Sequence, residues 1–398
     1  MIIKPKIRGF ICTNAHPVGC AHHVQEQINY IKSKPEVDGP KRVLIIGSST
    51  GFGLATRITA AFGMGAGTIG VFYERPADKE RTASAGWYNT AAFEIEAHKA
   101  GLIAESINGD AFSDEIKNET IKRIKDTFGQ VDLVVYSLAS PRRTHPKTGK
   151  LFSSVIKPIS KPYSNKTVNF MTGAVSTVTI EPATEEELEQ TIAVMGGEDW
   201  SLWIDALLEA KVLASGAKTV AYSYIGPKIT HAIYREGTIG KSKDDLEEAA
   251  HKLNKLLMEK LDGQAVVSVN KALVTQSSSA IPIVPLYISI LFKQMKELGL
   301  HEGTIEQTYR LLSEQLYSDH MELDDKGRIR IDDWEMSEDV QQKVDDLWRR
   351  VDGDNLDELA DMEGYRIDFL KLFGFGFPEV DYELDVDPVI ELSSRIII

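Results

Sequence analysis

The segment from residue 222 to residue 243 carries side chains that could reduce a polarised double bond. It holds three tyrosines and three lysines, and eight residues separate Tyr234 from Lys243. Such a reduction needs a hydrogen-bond donor where negative charge develops on oxygen, and a cation that holds the cofactor ribose. Tyr234 and Lys243 are the candidate catalytic pair, with Lys241 as the alternative cation. Only their position in the fold can separate this pair from a coincidence of spacing.

The elements that must position the pair alternate between apolar runs and helical segments. The predicted strands cover residues 43–47, 68–73, 103–108, 131–136, 218–224 and 265–269. The predicted helices cover residues 54–63, 114–128, 184–195, 200–210, 242–261, 283–298 and 304–316. This alternation is typical of a parallel sheet with helices on both faces. The predicted fold class is α/β, a Rossmann-type doubly wound parallel sheet in a single domain over residues 1–398.

Three segments lie outside this alternating pattern. They are an N-terminal extension (1–41), an inserted basic segment (141–181) and a helical, acidic C-terminal extension (300–398). Within the insertion, the β-prone residues 167–180 predict a small β-hairpin. Within the C-terminal extension, residues 324–361 are dense in Asp and Glu, and they predict a solvated pair of amphipathic helices packed on the core.

A glycine-rich turn follows the first predicted strand. Gly47, Gly51 and Gly53 lie between the apolar residues 43–46 and the next helix. Glycines at such a turn allow a pyrophosphate to approach the backbone, and the helix N-terminus presents free N–H groups to the anion. The spacing Gly-x3-Gly-x-Gly differs from the Gly-x-Gly-x2-Gly dinucleotide motif, so a simple strand-to-helix turn is the alternative interpretation. The position after the first strand of a βα series favours the nucleotide site.

Further candidate ligand residues follow the next strands. In open α/β sheets, ligands bind at the carboxyl ends of the strands, where Glu74, Asp110–Ala111 and residues 137–140 are expected. A carboxylate at Glu74 can accept hydrogen bonds from ribose hydroxyls and repels a 2′-phosphate, so NADH is favoured over NADPH. Arg75 argues in the opposite direction, because a guanidinium could accept that phosphate.

Composition and charge exclude several classes of protein. The formal net charge of −14 disfavours nucleic-acid binding. Two cysteines make no disulfide framework, and no export signal or apolar run of roughly 20 residues is present, so we expect a cytoplasmic protein that does not enter the membrane. No metal is expected, because the spacing typical of zinc sites is absent from the N-terminal cysteines and histidines, Cys12, His16, Cys20, His22 and His23.

Several motifs together resemble one enzyme family. These are the opening residues 2–10, the segment 15–20 (Ala-His-Pro-Val-Gly-Cys), the glycine turn 47–53 and the Tyr234-x8-Lys243 spacing. They resemble the FabV-type trans-2-enoyl-CoA and enoyl-acyl-carrier-protein (ACP) reductases, long-chain relatives of the short-chain dehydrogenases, over essentially the whole chain. The resemblance implies that Tyr234 is the proton donor, that Lys243 binds the nicotinamide ribose, and that Tyr224 contacts the substrate thioester.

The resemblance also implies a cofactor, a reaction and a set of nucleotide contacts. NADH would reduce the C2=C3 bond of a trans-2-enoyl thioester, carried on CoA or ACP, to the saturated acyl thioester. ACP is a candidate partner, and a monomer is expected. Besides Lys243, the implied nucleotide contacts are Gly47, Ser48, Ser49, Thr50, Gly51, Phe52, Tyr73, Glu74, Asp110, Ala111, Leu138, Ala139, Ala272, Leu273 and Val274.

Two alternative functions compete with this one. A short-chain-type ketone or 3-ketoacyl reductase would use the same Tyr and Lys chemistry on another substrate. A regulatory protein that binds NAD without turnover belongs to another class, and the intact Tyr234 and Lys243 pair argues against it.

The chain reverses its charge locally between residues 133 and 180. This stretch has no Asp or Glu and contains seven basic residues, namely Arg142, Arg143, Lys147, Lys150, Lys157, Lys161 and Lys166. A basic rim of this kind could attract the phosphates of CoA or an acidic carrier protein. The alternative is a solvated loop whose charges are balanced by acidic neighbours in space.

Overall fold

The computed structural model describes residues 1–9, 11–78, 81–393 and 395–396. The strands in chain order are β1 (Ile7–Arg8), β2 (Ile11–Cys12), β3 (Arg42–Ile46), β4 (Gly67–Phe72), β5 (Ala104–Asn108), β6 (Val131–Tyr136), β7 (Arg142–Thr144), β8 (Leu151–Ser153), β9 (Tyr163–Asn169), β10 (Ala174–Ile180), β11 (Leu213–Ser223), β12 (Gln264–Val269), β13 (Arg328–Arg330) and β14 (Arg395–Ile396).

Helices surround these strands. In chain order they are α1 (Pro17–Lys32), α2 (Gly51–Met64), α3 (Ala85–Lys99), α4 (Asp114–Thr127), α5 (Glu185–Met195), α6 (Glu198–Glu209), α7 (Lys228–His231), α8 (Thr238–Leu261), α9 (Val284–Glu297), α10 (Thr304–Arg310), α11 (Glu338–Arg350), α12 (Leu356–Leu359) and α13 (Met362–Lys371). A 3₁₀ turn covers Ser278–Ala280 and a π-helical stretch covers Leu311–Leu316. In the described part of the chain, no helix is long and apolar enough to cross a membrane.

One parallel sheet of eight strands organises the molecule, in the order β13-β12-β11-β6-β3-β4-β5-β14. The chain moves outward from β3 to β5 and then returns to the other side of β3 with β6, so the direction of winding reverses between β3 and β6. Ligands of open α/β sheets bind at this topological switch point. The predicted Rossmann-type doubly wound sheet is confirmed.

Alternation of side chains along β3 explains why the sheet is covered on both faces. Val43 and Ile45 are fully buried in one apolar cluster, whereas Leu44 and Ile46 are fully buried in another. Successive residues of a strand point to opposite faces, so an apolar run of this kind requires helices on both sides. The strand is therefore stable only in the middle of the sheet, where it carries the glycine turn at its carboxyl end.

Two of the helices that were not predicted from the sequence, α1 and α3, lack the usual sequence signals for physical reasons. Helix α3 buries Trp87, Tyr88 and Phe93, and its apolar side chains surround the helix without forming a stripe. Helix α1 begins after His16, whose Nδ1 accepts a hydrogen bond from the N–H of Gly19 at 3.2 Å. Histidine is not a usual N-cap residue, so Pro17 at the first helical position was the one remaining start signal.

The inserted segment forms two hairpins where the sequence predicted one. β9 pairs with β10 in the expected place, and β7 pairs with β8 earlier in the segment. Its first strand contains Arg143, which is buried.

The largest difference from the prediction lies in the acidic C-terminal extension. A pair of helices was expected over residues 324–361, and this expectation is wrong for the first half of the segment. There β13 adds to the edge of the sheet beside β12. Arg328 at the start of this strand is buried, with its guanidinium 3.0 Å from the carboxylate of Glu247 and 2.7 Å from that of Asp324. Ion pairing allows a charged strand to be buried, so charge density was a poor guide to exposure.

Candidate active site

The glycine turn lies at the switch point and is packed too closely for side chains. Gly47 has a φ of +89°, which L-residues with a Cβ rarely adopt, and a Cβ at this position would collide with the carbonyl oxygen of Ser137 after β6. A Cβ on Gly53 would collide with the carbonyl oxygen of Gly47. The loops after β3 and β6 therefore touch, and α2 starts directly against them.

The first turn of α2 has room for an anion. The helix begins at Gly51, and the side chain of the N-cap residue Thr50 makes no capping hydrogen bond. A Cβ built on Gly51 would meet nothing within 4 Å. A helix N-terminus with uncapped N–H groups and open space is a suitable site for a pyrophosphate.

Glu74 is fixed in place at the end of β4. Its carboxylate accepts a hydrogen bond from Ser49 Oγ at 2.7 Å, and burial raises its pKa, against the opposing effects of the Ser84 and Ser49 hydrogen bonds and of Arg75. Its backbone is held by the side chain of Asn108, which accepts from the Glu74 N–H at 2.8 Å and donates to the Glu74 carbonyl at 2.9 Å. Asn108, which was not predicted from the sequence, thus holds the backbone of Glu74, the residue expected to contact the ribose.

The next two predicted contacts also lie at the carboxyl edge. Asp110 accepts a hydrogen bond from the N–H of Phe112 at 3.0 Å, and the carbonyl of Ala111 accepts from Lys117 Nζ at 3.2 Å and Trp203 Nε1 at 3.1 Å. Leu138 reaches towards the glycine turn, with its Cδ2 3.2 Å from the Cβ position of Gly47, whereas Ala139 is exposed. Tyr73 is exposed as well. The structure therefore places these residues on one edge of the sheet.

Lys243 lies beneath this edge, in the second turn of α8. Its buried ammonium group donates a hydrogen bond to the carbonyl of Tyr222 at 3.2 Å, and burial lowers its pKa to about 8, although Glu247 raises it. The Tyr222 ring packs against Phe52 of the glycine turn with 5.7 Å between the centroids. Lys243 is thereby connected to the glycine turn through Tyr222, whereas Lys241 is half exposed and paired with Asp244 at 3.2 Å.

Tyr234 is brought back towards Lys243 by the glycines between them. The carbonyl of Tyr234 accepts the N–H groups of Gly237 at 3.1 Å and of Gly240 at 2.8 Å. A Cβ on Gly240 would collide with the carbonyl oxygen of Arg235. The link folds back at the start of α8, so the backbone of Tyr234 contacts a residue three positions before Lys243.

The hydroxyl of Tyr234 is available for a ligand. Among the described residues it has no hydrogen-bond partner, and burial raises its pKa above the ordinary value, so it stays protonated at neutral pH. Its ring meets the ring of Tyr224 edge to face, with centroids 5.0 Å apart. Two tyrosines thus share one buried site, and one of them has a free O–H donor.

The segment after β12 completes the site. Ala272, Leu273 and Val274 are buried, and the N–H of Ala272 donates to the Glu335 carboxylate at 2.6 Å. Glu335 also accepts from the Tyr224 hydroxyl at 3.2 Å. Glu335 was not among the predicted site residues, because it lies in the acidic segment that was expected to be solvated.

The N-terminal cysteines and histidines do not meet as ligands. His16 caps α1, and Cys12 and Cys20 are free and buried. Over the part of the chain that the structure describes, no three His, Cys, Asp or Glu side chains form a group that could hold a metal ion.

A doubly wound sheet with a glycine turn at its switch point, and a buried Tyr and Lys beside it, defines an oxidoreductase that binds a nicotinamide dinucleotide. The sequence model described as the trans-2-enoyl-CoA reductase catalytic region matches residues 81–317, and that of the NAD(P)H binding domain of trans-2-enoyl-CoA reductase matches residues 2–79. The chain belongs to the trans-2-enoyl-CoA reductase family.

Individual relatives match along the whole chain. An NADH-dependent enoyl-acyl-carrier-protein reductase of Coxiella burnetii (strain CbuG_Q212) is 63% identical over 390 residues, covering 97% of this chain and 96% of the relative. An NADH-dependent trans-2-enoyl-CoA reductase of Ruminiclostridium cellulolyticum is 60% identical over 394 residues, covering 99% and 100%. The crystal structure of Clostridium acetobutulicum trans-2-enoyl-CoA reductase in complex with NADH superposes with a TM-score of 0.95 at 47% identity, covering 98% of each chain.

A third sequence model, described as the enoyl reductase FAD binding domain, matches residues 323–386. The residues present do not fit a flavin dinucleotide. β13 is followed by residues 331–340, which contain no glycine for a phosphate-binding turn and carry the acidic residues Asp332 and Asp333 where that turn would be needed. The helices of this segment bury Val344 and Phe369 in the core. We therefore assign no step of the reaction to a flavin.

The close packing of the glycine turn predicts that Gly53→Ala will impair NADH binding. The added methyl group must displace the Gly47 backbone, which should cost about 1–3 kcal/mol of stability and weaken NADH affinity by at least about tenfold. Fluorescence titration with NADH and thermal unfolding measure both effects. Gly353→Ala is the matched control, because Gly353, like Gly53, has no positive φ, and the space around its Cβ position is open. Equal NADH affinities in the two variants would contradict the role of the turn.

Proposed function

We propose that this protein is an NADH-dependent reductase of the C2=C3 double bond of trans-2-enoyl thioesters, with Tyr234 as its acid and Lys243 as its ribose-binding cation. The cofactor would be held by the glycine turn, Glu74, residues 110–111, 138–139 and 272–274, and Lys243. NADH supplies the hydride that adds to C3. The relatives with this activity and the nucleotide subsites at the switch point both support the proposal.

The residues of the site would stabilise the negative charge that hydride addition creates. After hydride adds to C3, negative charge appears on the thioester oxygen as an enolate. The free hydroxyl of Tyr234 would donate to that oxygen, with Tyr224 beside it. The proton of Tyr234 would then be transferred to the enolate and end on C2, which gives the saturated thioester and a tyrosinate that takes up a proton from solvent. Donors placed where charge develops typically contribute a few kcal/mol each. Because burial keeps the pKa of Tyr234 high, this tyrosine starts the reaction with its proton.

The observation that carries this proposal is the edge-to-face pair of Tyr224 and Tyr234. Among the residues that the structure describes, the Tyr224 hydroxyl has a hydrogen-bond partner and the Tyr234 hydroxyl has none. The direct test is the loss of NADH absorbance with crotonyl-CoA, compared with acetoacetyl-CoA and with NADPH. We expect turnover of crotonyl-CoA and a preference for NADH, because Glu74 repels a 2′-phosphate. Faster reduction of acetoacetyl-CoA would favour the ketoacyl reductase and sink the proposal.

The basic residues of the inserted segment are the candidate contacts for the carrier of the acyl chain. They fall into two groups, one paired within the protein and one exposed. Arg143 is buried and paired with Glu198 at 2.6 Å, and Lys157 is paired with Glu187 at 2.6 Å. Lys166 donates to three carbonyls at the end of α11. These three cations are structural. The four that remain exposed, Arg142, Lys147, Lys150 and Lys161, could receive the phosphates of CoA or an acidic ACP.

We predict that the double variant Arg142→Glu/Lys147→Glu will raise KM for crotonyl-CoA about tenfold and leave KM for crotonyl-N-acetylcysteamine nearly unchanged, because only the CoA ester carries phosphates. Initial rates at low and high ionic strength measure the effect, which salt should weaken. Lys122→Glu/Lys125→Glu is the charge-matched control, since both lysines are exposed in the second half of α4, which leads to the amino end of β6 on the opposite edge of the sheet. Equal increases for both thioesters would show that the exposed cations do not bind the carrier.

A further inference from the structure

Glu335 is a buried carboxyl group between the two sides of the active site. It follows β13 in the C-terminal extension, and its exposed fraction is 0%. One oxygen, Oε2, accepts the N–H of Ala272, the first residue of the expected cofactor segment 272–274. The other oxygen, Oε1, contacts the hydroxyls of Tyr224 at 3.2 Å and of Tyr287 at 2.7 Å.

The two tyrosine contacts of Oε1 are unequal. The hydroxyl of Tyr287 has partners for both its proton and its oxygen. It donates its proton to Glu335, and its oxygen accepts from Gln341 Nε2 at 3.2 Å. The 2.7 Å distance is typical of a full O–H···O hydrogen bond, whereas the 3.2 Å distance to Tyr224 is long for one. Tyr287 thus holds the carboxyl group, and Tyr224 is loosely held.

The protonation state of Glu335 decides where the Tyr224 hydroxyl can donate its proton. A phenol has a single O–H proton. If Glu335 is ionised, Tyr224 must donate that proton to Oε1 and has none to give to a substrate oxygen. If Glu335 is protonated at Oε1, the carboxylic acid donates to the oxygen of Tyr224, and the Tyr224 proton is free to point into the site. The same contact between Glu335 Oε1 and the Tyr224 oxygen is therefore compatible with ionised and with protonated Glu335. Only in the protonated state can Tyr224 donate its proton to a substrate oxygen.

We propose that protonated Glu335 is the positioning residue that directs the Tyr224 proton towards the thioester oxygen, an inference that rests on the substrate-contacting role proposed for Tyr224. Ionisation of Glu335 withdraws that proton from the substrate. No bond to the substrate is made or broken by Glu335 itself, and its proton stays within the Glu335–Tyr224 hydrogen bond.

The groups that face Glu335 set the balance between the two states. They come from the end of β11 (Tyr224), from α9 (Tyr287), from the end of β12 (Lys271) and from its own segment (Asp332). Burial raises the pKa of Glu335 and outweighs the opposing effect of the Lys271 ammonium group. Lys271 is itself buried, with its Nζ 3.1 Å from the Ala272 carbonyl, and burial lowers its pKa to about 8.

The test compares the pH profiles of kcat for the wild type and Glu335→Gln, with crotonyl-CoA and saturating NADH. In the wild type kcat should fall as pH rises through the raised pKa of Glu335, because ionised Glu335 captures the Tyr224 proton. The amide of the variant can accept from Ala272 and donate to Tyr224 at every pH. We expect Glu335→Gln to keep kcat within about threefold at low pH and to lose that alkaline decline.

Two further variants separate positioning from a general effect on folding. In a Tyr224→Phe background, Glu335→Gln should change neither kcat nor the profile by more than about twofold, because Glu335 acts through the absent hydroxyl. In Lys271→Met, kcat should decline at a higher pH than in the wild type. This substitution removes the cation that lowers the pKa of Glu335. An infrared carbonyl band of a protonated carboxylic acid, lost in Glu335→Gln, reports the same state without turnover.

The inference is overturned if Glu335→Gln retains the alkaline decline, or if its effect persists in the Tyr224→Phe background. An inactive wild type would instead reject the proposed reductase function, and the infrared band would then still report whether Glu335 holds a proton.

Discussion

Replacing Tyr234 by phenylalanine is expected to lower kcat for crotonyl-CoA by about 10²–10³-fold, the usual cost of removing one donor to a developing oxyanion. The substitution removes only the hydroxyl, which has no partner among the described residues, and it leaves the ring against Tyr224. KM and NADH affinity should change little, because the enolate charge appears only after the substrates are bound. Steady-state kinetics and an NADH titration of the same preparation measure the three quantities.

Tyr309→Phe is the matched control for this substitution. The Tyr309 hydroxyl donates to the carbonyl of Pro35 at 3.2 Å, outside the site, so its loss should leave kcat unchanged. If Tyr234→Phe kept more than about a third of the wild-type kcat, the enolate would have another principal donor. Tyr224→Phe would then be the variant that loses activity.

The fold could be predicted from the sequence wherever local pattern and burial agree. The apolar runs that became β3, β4 and β6 are buried on both faces, so their continuous hydrophobicity was a direct signal. Where a charged segment is buried through ion pairs, as at β13, the same reasoning predicted exposure and was wrong. The single domain stays a prediction, which is supported by one sheet that takes strands from β3 through β14.

Some residues of the site could be predicted from the sequence and others could not. Residues that act through backbone geometry, such as Gly47 and Gly53, have a signature in the sequence because only glycine fits there. Glu335 and Asn108 act through contacts between distant segments, Glu335 being 111 positions from Tyr224. No local pattern marks such a contact, because it depends on how β11 and the end of β13 come together. The monomeric state and the choice between CoA and ACP also stay predictions.

The second large effect is expected at Lys243. Its ammonium group has three donors and uses one of them on the Tyr222 carbonyl, which leaves donors for the ribose hydroxyls. Lys243→Met should lower kcat/KM for NADH by about 10- to 150-fold, the equivalent of the roughly 1.5–3 kcal/mol of a hydrogen bond to a charged group. The variant removes the cation and keeps much of the apolar stem in its buried position.

The pH dependence identifies the cation that is responsible. Burial lowers the pKa of Lys243 to about 8, so the ammonium form prevails below pH 8 and is lost as pH rises through that value. Because kcat/KM for NADH reports ionisations of the free enzyme, it should fall above about pH 8 in the wild type and lose this decline in Lys243→Met. Lys241→Met should change neither, since Lys241 is half exposed and paired with Asp244. The reverse outcome would assign the ribose contact to Lys241.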